Sequence, residues 1–326
     1  MSNDTIGLAV IGLGVIGTRM LANTAHRTDY SIVGAWDPDE GARERARASF
    51  AHAPIARSAE AAIADPRTRV VYVGTPPGWH RHYAQLASRH GKALFCEKPL
   101  AADVAEGEAM VAELARAGTP NALNYVFATA PGARALERLL AGGAIGRPLA
   151  IETQLFFSRW PRDWQASARW LSLRAEGGFV REVLSHFVYL MIDLFGDCLH
   201  RESFVEYADD PSLCERSAAA LLSCGGLPSR VLASSGGGGP DEVRFTVRGE
   251  RGALRLENWH QLLRFSDGAW VEEPVPIAPH PDGRTASFQA QLDVLARLAR
   301  GQAHRLPDAA TGLAVQRVIE TILRSH

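Results

Sequence analysis

Gly12-Leu13-Gly14-Val15-Ile16-Gly17 follows a short apolar run at residues 6–11 and precedes a helical pattern that continues to about residue 25. Glycines at this spacing suit a tight turn, close approach of the backbone to a pyrophosphate, and close packing of a helix on a strand. The pyrophosphate would lie at the helix N-terminus, where free N–H groups and the positive end of the helix dipole attract an anion. Gly12, Gly14, Val15, Ile16 and Gly17 are therefore predicted to bind a dinucleotide.

The carboxylate of Asp37 supports this interpretation. It follows Gly17 by about 20 residues, at the end of the second predicted strand, which is the position of a ribose-binding acid. The alternative is a glycine-rich turn without a ligand. A carboxylate at this position accepts hydrogen bonds from ribose hydroxyls and repels a 2′-phosphate, and no arginine directly follows Asp37. The predicted cofactor is therefore NAD, in preference to NADP.

Strands and helices alternate through the first third of the chain. The apolar runs at 31–36, 70–74 and 93–96 are predicted strands, and helical segments are predicted at 39–49, 58–64, 80–90 and 103–117. Parallel neighbouring strands need crossover helices, so this order indicates a doubly wound parallel sheet. Asp103, three residues before Glu106, is the predicted N-cap of the last helix. The fold class is therefore α/β, with a dinucleotide-binding Rossmann domain over residues 1–123.

The pattern changes after about Leu123. An alternating segment at 149–158 and a strong helix at 178–195 precede several strand-like runs between about 200 and 272, and helices are predicted at 286–300 and 308–323. The four glycines at 236–239 are predicted to connect a hairpin. Residues 124–326 should therefore form an α+β domain with a mainly antiparallel open sheet. Helices should cover one face of this sheet and leave the other for a partner subunit, which predicts a homodimer or homotetramer.

Charge and cysteine usage exclude several classes of function. The 326 residues carry a net charge of −1 and have an isoelectric point of about 6.8, without the basic stripe that nucleic acid or a membrane surface requires. The apolar stretch at 6–16 is too short to span a membrane and is predicted as a buried strand. Four dispersed cysteines without a C-x-x-C pair favour free thiols in a reducing cytoplasm and no metal site.

Two further motifs carry a family resemblance. Val71-Tyr72-Val73-Gly74-Thr75-Pro76-Pro77 is followed by His80, and Cys96-Glu97-Lys98-Pro99-Leu100 closes the next predicted strand. Together with Gly177-Gly178 and His186, they resemble the glucose–fructose oxidoreductase/inositol dehydrogenase (Gfo/Idh/MocA) family over nearly the whole chain. The resemblance implies an NAD(P)-dependent dehydrogenase that acts on a small polar molecule, namely a sugar, a polyol, a cyclic diol or a sugar acid.

The resemblance also implies roles for individual residues. The resemblance places six residues beside the nicotinamide: Thr75, Pro76, Pro77, His80, Glu97 and Lys98. Lys98 is expected to hydrogen-bond the reacting oxygen, because an ammonium stabilises a developing alkoxide. His186 is the expected proton-transfer residue.

The segment before His186 departs from the family pattern of Asp-x-Gly-x-His. Glu182 stands in place of the aspartate and Leu184 in place of the glycine. A spacing of four residues puts Glu182 and His186 on one face of an α-helix, so Glu182 is predicted either to orient His186 or to reach the substrate. The alternative is a simple pair on the helix surface. Leu184 is expected to narrow the pocket, which disfavours a standard inositol or hexose substrate.

Aromatic and basic residues between 158 and 177 are candidates for substrate binding. These residues are Trp160, Trp164, Arg169, Trp170 and Arg174. One interpretation is that they form an aromatic or anion-binding wall of the pocket, and the other is that they pack the loop onto the sheet. An arginine that the family often has shortly after Tyr125 is missing, since Val126 follows. Tyr125, Arg169 and Trp170 are the predicted substrate contacts, and arginines that face the pocket would suit a carboxylate.

Two alternatives to a dehydrogenase stay open. Some relatives hold NAD tightly and oxidise a sugar transiently, which permits glycoside elimination without net NADH production. Others bind a dinucleotide as regulators and catalyse nothing, a role against which the intact Lys98 and His186 argue.

Overall fold

Two compact units make up the chain, which a computed structural model describes over residues 5–275 and 283–324. The first unit runs to Tyr125 and also includes Leu292–Leu313, and the second contains the rest of the described chain. Leu292–Leu313 packs with the first unit; within it, the Leu123 N–H donates to the Pro307 carbonyl at 2.7 Å and the Tyr30 hydroxyl donates to the Leu292 carbonyl at 2.6 Å. The predicted domain boundary after residue 123 assigns Leu292–Leu313 to the second domain, whereas in the structure this segment packs with the first unit.

The first unit is a five-stranded parallel sheet with helices between its strands. Its elements are β1 Ile6–Ile11, α1 Val15–Thr24, β2 Tyr30–Trp36, α2 Glu40–Ser49, α3 Ala59–Ala64, β3 Val70–Val73, α4 His80–Arg89, β4 Ala93–Cys96, α5 Val104–Ala117 and β5 Asn121–Leu123. The strand order is β2-β1-β3-β4-β5. The chain order therefore reverses beside β1, and ligands bind at such a switch point beyond the carboxyl ends of parallel strands.

Local sequence explains where the helices of this unit begin. Asp39 accepts hydrogen bonds from the backbone N–H groups of Gly41 and Ala42, and Asp103 accepts one from Glu106. These contacts satisfy N–H groups that have no partner inside the helix. The predicted N-cap at Asp103 is confirmed. The three-residue strand β5 was not predicted, because it is too short to show periodicity.

The second unit is an eight-stranded sheet with helices packed on it. Its elements are α6 Pro131–Ala141, β6 Pro148–Phe157, a π-helical turn Val180–Leu184, α7 Ser185–Phe195, β7 Cys198–Tyr207, β8 Glu215–Cys224, β9 Leu227–Ser235, β10 Glu242–Gly249, β11 Gly252–Glu257, β12 Gln261–Ser266 and β13 Ala269–Glu272. Helices α8 Gly283–Ala299 and α9 Ala309–Arg324 each contribute to both units. The strand order is β13-β12-β11-β10-β6-β9-β8-β7. Among the strand pairs that the structure describes in this sheet, only β6–β9 is parallel, which confirms the predicted mainly antiparallel sheet.

Two sequence predictions for this unit are wrong. The glycines at 236–239 do not close a hairpin, because β9 and β10 lie on opposite sides of β6 and the loop crosses that strand. Cys198 and Cys224 are not free thiols but form a disulfide between β7 and β8, where the two residues face each other in register. Cys96 and Cys214 are free and buried. Helix α6, which begins with Pro131, was missed.

The two faces of the large sheet differ in their surroundings. Helices α6 and α7 pack against the sheet, and side chains such as Val205 and Val231 are buried. Phe204, Ala219 and Leu232 stand opposite one another across β7, β8 and β9. Phe204 is 63% exposed and Leu232 is 50% exposed. The sheet therefore presents an apolar row to its surroundings.

Among the described residues, no helix is long and apolar enough to cross a membrane.

Candidate active site

The glycine turn follows β1 and leads into α1. A Cβ on Gly17 would lie 1.8 Å from the Gly12 carbonyl oxygen, and one on Gly12 would lie 2.6 Å from the Gly74 carbonyl oxygen. Gly12 also has a φ of +94°, which favours glycine. By contrast, apart from its own chain neighbours, no described residue has an atom within 4 Å of a Cβ built on Gly14, the N-cap of α1. Gly12 and Gly17 thus allow the tight turn. Gly14 leaves open space at the N-terminus of α1, which is the cradle that a pyrophosphate needs.

Asp37 lies at the end of β2 and holds the same turn. Its Oδ2 accepts a hydrogen bond from the Leu13 N–H at 2.7 Å, and its Oδ1 accepts one from the Asp39 N–H at 2.9 Å. A carboxylate has about four acceptor sites, so both oxygens can still accept from ribose hydroxyls. The Arg43 guanidinium donates to the Asp37 backbone carbonyl at 2.7 Å. Sequence reasoning missed this arginine because it stands six residues further along the chain.

The loop after β3 contains a buried hydroxyl and a buried histidine. The Thr75 Oγ1 is buried and has no hydrogen-bond partner among the residues that the structure describes, so it is available to a ligand at the switch point of the sheet. His80 is completely buried; its Nε2 lies 2.9 Å from the Thr75 carbonyl oxygen and its Nδ1 lies 3.0 Å from that of Pro99. Burial lowers the pKa of His80. A neutral imidazole has one N–H, so His80 donates a single hydrogen bond from its position between the loop after β3 and the segment after β4. Pro77 is buried and Pro76 is exposed.

Glu97 and Lys98 follow β4 and are both buried, each with 8% exposure. The Glu97 Oε1 accepts hydrogen bonds from the Tyr72 hydroxyl at 2.6 Å and from the Asn124 Nδ2 at 2.5 Å. Burial and the neighbouring Glu97 raise the pKa of Tyr72 well above its usual value. Two donors from β3 and from the end of β5 therefore fix the segment that carries Lys98, whose peptide bond to Pro99 is cis.

Sequence reasoning gave no role to Tyr72 or to Asn124. A phenol in the otherwise apolar strand Val-Val-Tyr-Val was the available signal, since a buried hydroxyl needs a partner.

The segment that carries His186 starts at the paired glycines. A Cβ on Gly177 would lie 2.4 Å from the Trp170 carbonyl oxygen, and one on Gly178 would lie 2.3 Å from the Glu215 Oε2. The Glu215 Oε1 accepts a hydrogen bond from the Val180 N–H at 2.8 Å. Glu215 therefore binds an N–H group at the start of the helical segment, and Gly178 makes room for its carboxylate. The sequence gave no sign of Glu215, which lies on β8.

Glu182 and His186 lie on this helical segment, but not with the α-helical spacing that was predicted. Residues Val180–Leu184 form a π-helical turn with i→i+5 bonding, which alters the angle between side chains four residues apart. Glu182 Oε1 accepts a hydrogen bond from the Gln165 Nε2 at 3.3 Å. His186 is buried, and its ring lies edge-on to Trp259 at 5.6 Å. Leu184 is fully buried.

The loop before the paired glycines contains some residues that pack within the second unit and others that are accessible. Trp160 donates from its Nε1 to the Leu171 carbonyl, and the Arg174 guanidinium lies 3.7 Å from the centre of the Tyr207 ring. These two residues therefore have a packing role. Arg169 is exposed, whereas Trp170 is half-buried and Tyr125 is buried.

Comparison with known proteins identifies both halves of the chain. Residues 6–125 match the oxidoreductase family with an NAD-binding Rossmann fold, and residues 133–255 match the GFO/IDH/MocA C-terminal domain. The chain belongs to the GFO/IDH/MocA oxidoreductase family. It is an NAD(P)-dependent oxidoreductase of small polar substrates.

Individual relatives within the GFO/IDH/MocA family include sugar dehydrogenases. The chain is 32% identical over 274 residues to the D-apiose dehydrogenase of Paraburkholderia graminis, covering 82% of this chain and 72% of the relative. It is 25% identical to the levoglucosan dehydrogenase of Pseudarthrobacter phenanthrenivorans, over 64% of this chain and 49% of the relative. An oxidoreductase from Agrobacterium radiobacter, solved with NAD+, L-tartaric acid and magnesium, has the same fold, with a TM-score of 0.83, 20% identity and coverage of 97% and 94% of the two chains.

Replacing Glu215 with glutamine is expected to change how the stability of this enzyme depends on pH. Burial raises the pKa of Glu215 to about 7 from a usual value of 4.5, so the folded state holds the proton more tightly than the unfolded state. Between these values the wild-type free energy of unfolding should fall as pH rises, by up to about 3 kcal/mol. Glu215→Gln should remove this loss and be relatively more stable at pH 8 than at pH 5 in urea denaturation.

The control for this prediction is Glu250→Gln. Glu250 is exposed, and hydrogen bonding to Arg147 lowers its pKa, so its replacement should have a small effect of the opposite sign. The same pH dependence in wild type and Glu215→Gln would contradict the prediction.

Proposed function

We propose that the chain is an NAD-dependent dehydrogenase that oxidises a CH–OH group of a small sugar, polyol, cyclic diol or sugar acid. The observation that carries the proposal is the buried Lys98, on a segment that Tyr72 and Asn124 fix through Glu97. The open Gly14 cradle, Asp37 and the Thr75 hydroxyl support dinucleotide binding in the same unit. The names of the D-apiose and levoglucosan dehydrogenases support the substrate class.

When bound, NAD supplies the hydride acceptor. Gly12, Val15, Ile16 and Gly17 would form the turn around its pyrophosphate, and Thr75, Pro76 and Pro77 would border its reactive end. His80, which lies between the Thr75 and Pro99 carbonyls, would hold that loop in place.

Lys98 has the chemistry that alcohol oxidation requires. Its ammonium would donate a hydrogen bond to the reacting oxygen and stabilise the negative charge that develops there. Of the 35 lysine and arginine residues of the chain, only two are lysines, Lys92 and Lys98. An ammonium is a compact donor to a single oxygen, whereas guanidinium is a wide planar fork that suits carboxylates and phosphates. Lysine at position 98 of an arginine-rich chain thus fits a catalytic role.

His186 would take the hydroxyl proton as general base. Glu182, which Gln165 holds by a hydrogen bond, would orient His186 or contact the substrate. Of the other predicted substrate contacts, the exposed Arg169 and the half-buried Trp170 are better placed than the buried Tyr125 to meet a ligand.

Lys98→Ala and Lys98→Arg should both lower kcat by about a hundredfold or more, the effect of removing one donor to a developing oxyanion. NADH binding should change little, because the glycine turn and Asp37 are unaltered. Turnover is measured by NADH formation with polyols and sugars, and binding by NADH fluorescence. Lys92→Arg is the control, since Lys92 donates only to the carbonyls of Asp65 and Thr68 among its described contacts and should retain wild-type turnover. Full activity of Lys98→Ala would refute the mechanism, and turnover without net NADH would indicate transient oxidation.

The preference for NAD over NADP should depend on Asp37. We expect NADH to bind more tightly than NADPH, because a 2′-phosphate would approach the Asp37 carboxylate. Asp37→Ala should narrow the preference by tenfold or more, about 1.4 kcal/mol, since the Arg43 guanidinium then remains to pair with the phosphate. The double variant Asp37→Ala/Arg43→Ala separates the two effects. Tighter binding of NADPH than NADH by the wild type would overturn this proposal.

We further propose a homodimer or homotetramer that buries the row of Phe204, Ala219 and Leu232. Two copies of an exposed apolar row can cover each other about a two-fold axis. Phe204→Asp should shift the mass in light scattering towards the monomer, because it places a charge on each side of the contact. Trp79→Asp, at a 56% exposed position of the first unit, is the control and should keep the wild-type mass. A monomeric wild type at micromolar concentration would contradict this proposal.

A further inference from the structure

The turn between β11 and β12 has a tryptophan where its backbone favours glycine. The His260 N–H donates to the Glu257 carbonyl at 3.1 Å, and the two residues between them have positive φ, 49° at Asn258 and 73° at Trp259. Positive φ at both central positions is the pattern of a type I′ turn, for which Asn-Gly is the favoured sequence. Asn258 fits the first position. A bulky residue at the second is uncommon and disfavoured.

The indole of Trp259 is held by contacts within the second unit. It stacks on Phe127 at 5.7 Å with an interplanar angle of 23°, and it lies 5.5 Å from Phe187. Its third aromatic neighbour is His186, edge-on at 5.6 Å and 84°. Trp259 as a whole residue is half-buried, whereas His186 beside it is buried.

The position of this turn is set by the elements around it. A Cβ on Gly132 of α6 would lie 2.5 Å from the His260 carbonyl oxygen, so helix and turn are in close contact. The backbone of Asn258 donates to the Val243 carbonyl on β10. The turn is therefore fixed from two sides, and the orientation of the indole follows from the backbone rather than from a mobile loop.

An unfavourable backbone position that is retained beside a functional group points to a role for the side chain. We propose that Trp259 determines substrate specificity, with its indole forming a wall beside His186 on which the C–H face of a cyclic sugar or polyol packs. The inference rests on the proposed function, because it takes His186 as the residue that accepts the proton. A flat aromatic surface complements a rigid ring, whereas a linear polyol must also lose conformational freedom on binding.

Binding and turnover together test this role. Wild type, Trp259→Gly and Trp259→Phe are titrated calorimetrically in the presence of NADH with three ring compounds, myo-inositol, levoglucosan and D-apiose, and with linear xylitol. KM and kcat are then measured for each compound that is oxidised. Trp259→Gly should weaken binding of the preferred ring compound, and raise its KM, at least tenfold with kcat within threefold. Trp259→Phe should recover most of this affinity, and xylitol binding should change less than threefold in both variants.

The controls separate folding, specificity and the proposed function. Trp259→Gly creates the favoured Asn-Gly turn and should keep the wild-type circular dichroism and NADH affinity. If the glycine variant does not fold, Trp259→Asn, which also tolerates positive φ and removes the aromatic ring, should show the same loss of ring binding. Trp270→Phe, on β13, should behave as wild type. Any of three results would overturn the inference. They are an unchanged affinity of Trp259→Gly for ring compounds, an equal loss of affinity for ring and linear compounds, and no binding of ring compounds by the wild type. Normal ring binding without hydride transfer would instead refute the proposed function.

Discussion

Burying a carboxyl group away from water costs free energy unless the group is hydrogen-bonded or protonated, and such a group holds each of the two segments that carry the proposed catalytic residues. In the first unit, Glu97 receives two donors, the Tyr72 hydroxyl and the Asn124 amide, and the chain continues directly into Lys98. In the second, Glu215 accepts from the backbone of Val180 at the start of the helical segment that carries His186. Gly178 is needed there because any side chain would collide with that carboxylate. Each reactive side chain thus follows an anchored backbone segment.

Much of the first unit could be predicted because its signals are local. The glycine turn, the acid after the second strand and the cap at Asp103 lie within a few residues of the structure that they specify. The second unit depends on strand register, which is not local. Cys198 and Cys224 are 26 residues apart and pair only because β7 and β8 align them, and β6 separates β9 from β10 although the two are consecutive in sequence.

The candidate site shows the same limit. Motifs made Lys98, His186 and the glycine turn candidates. The residues that contact the segments of Lys98 and His186 come from elsewhere in the chain: Tyr72 bonds Glu97, Gln165 bonds Glu182, Glu215 bonds the Val180 N–H, and Trp259 lies against His186. The π-helical turn at Val180–Leu184 altered a spacing argument that assumed an α-helix. Loop aromatics and arginines allowed two interpretations in the sequence, and contacts decided for packing in the cases of Trp160 and Arg174.

Hydride transfer from a carbinol carbon is the central claim, and deuterium labelling tests it most directly. The best substrate from the panel of polyols and sugars is prepared with deuterium at the carbon that is oxidised and incubated with NAD, and the reduced cofactor is analysed by proton NMR. We expect one deuterium on a single face of nicotinamide C4, in an amount equal to the ketone or aldehyde formed. Product that forms while C4 carries no deuterium, or while the label stays on the substrate carbon, would contradict it.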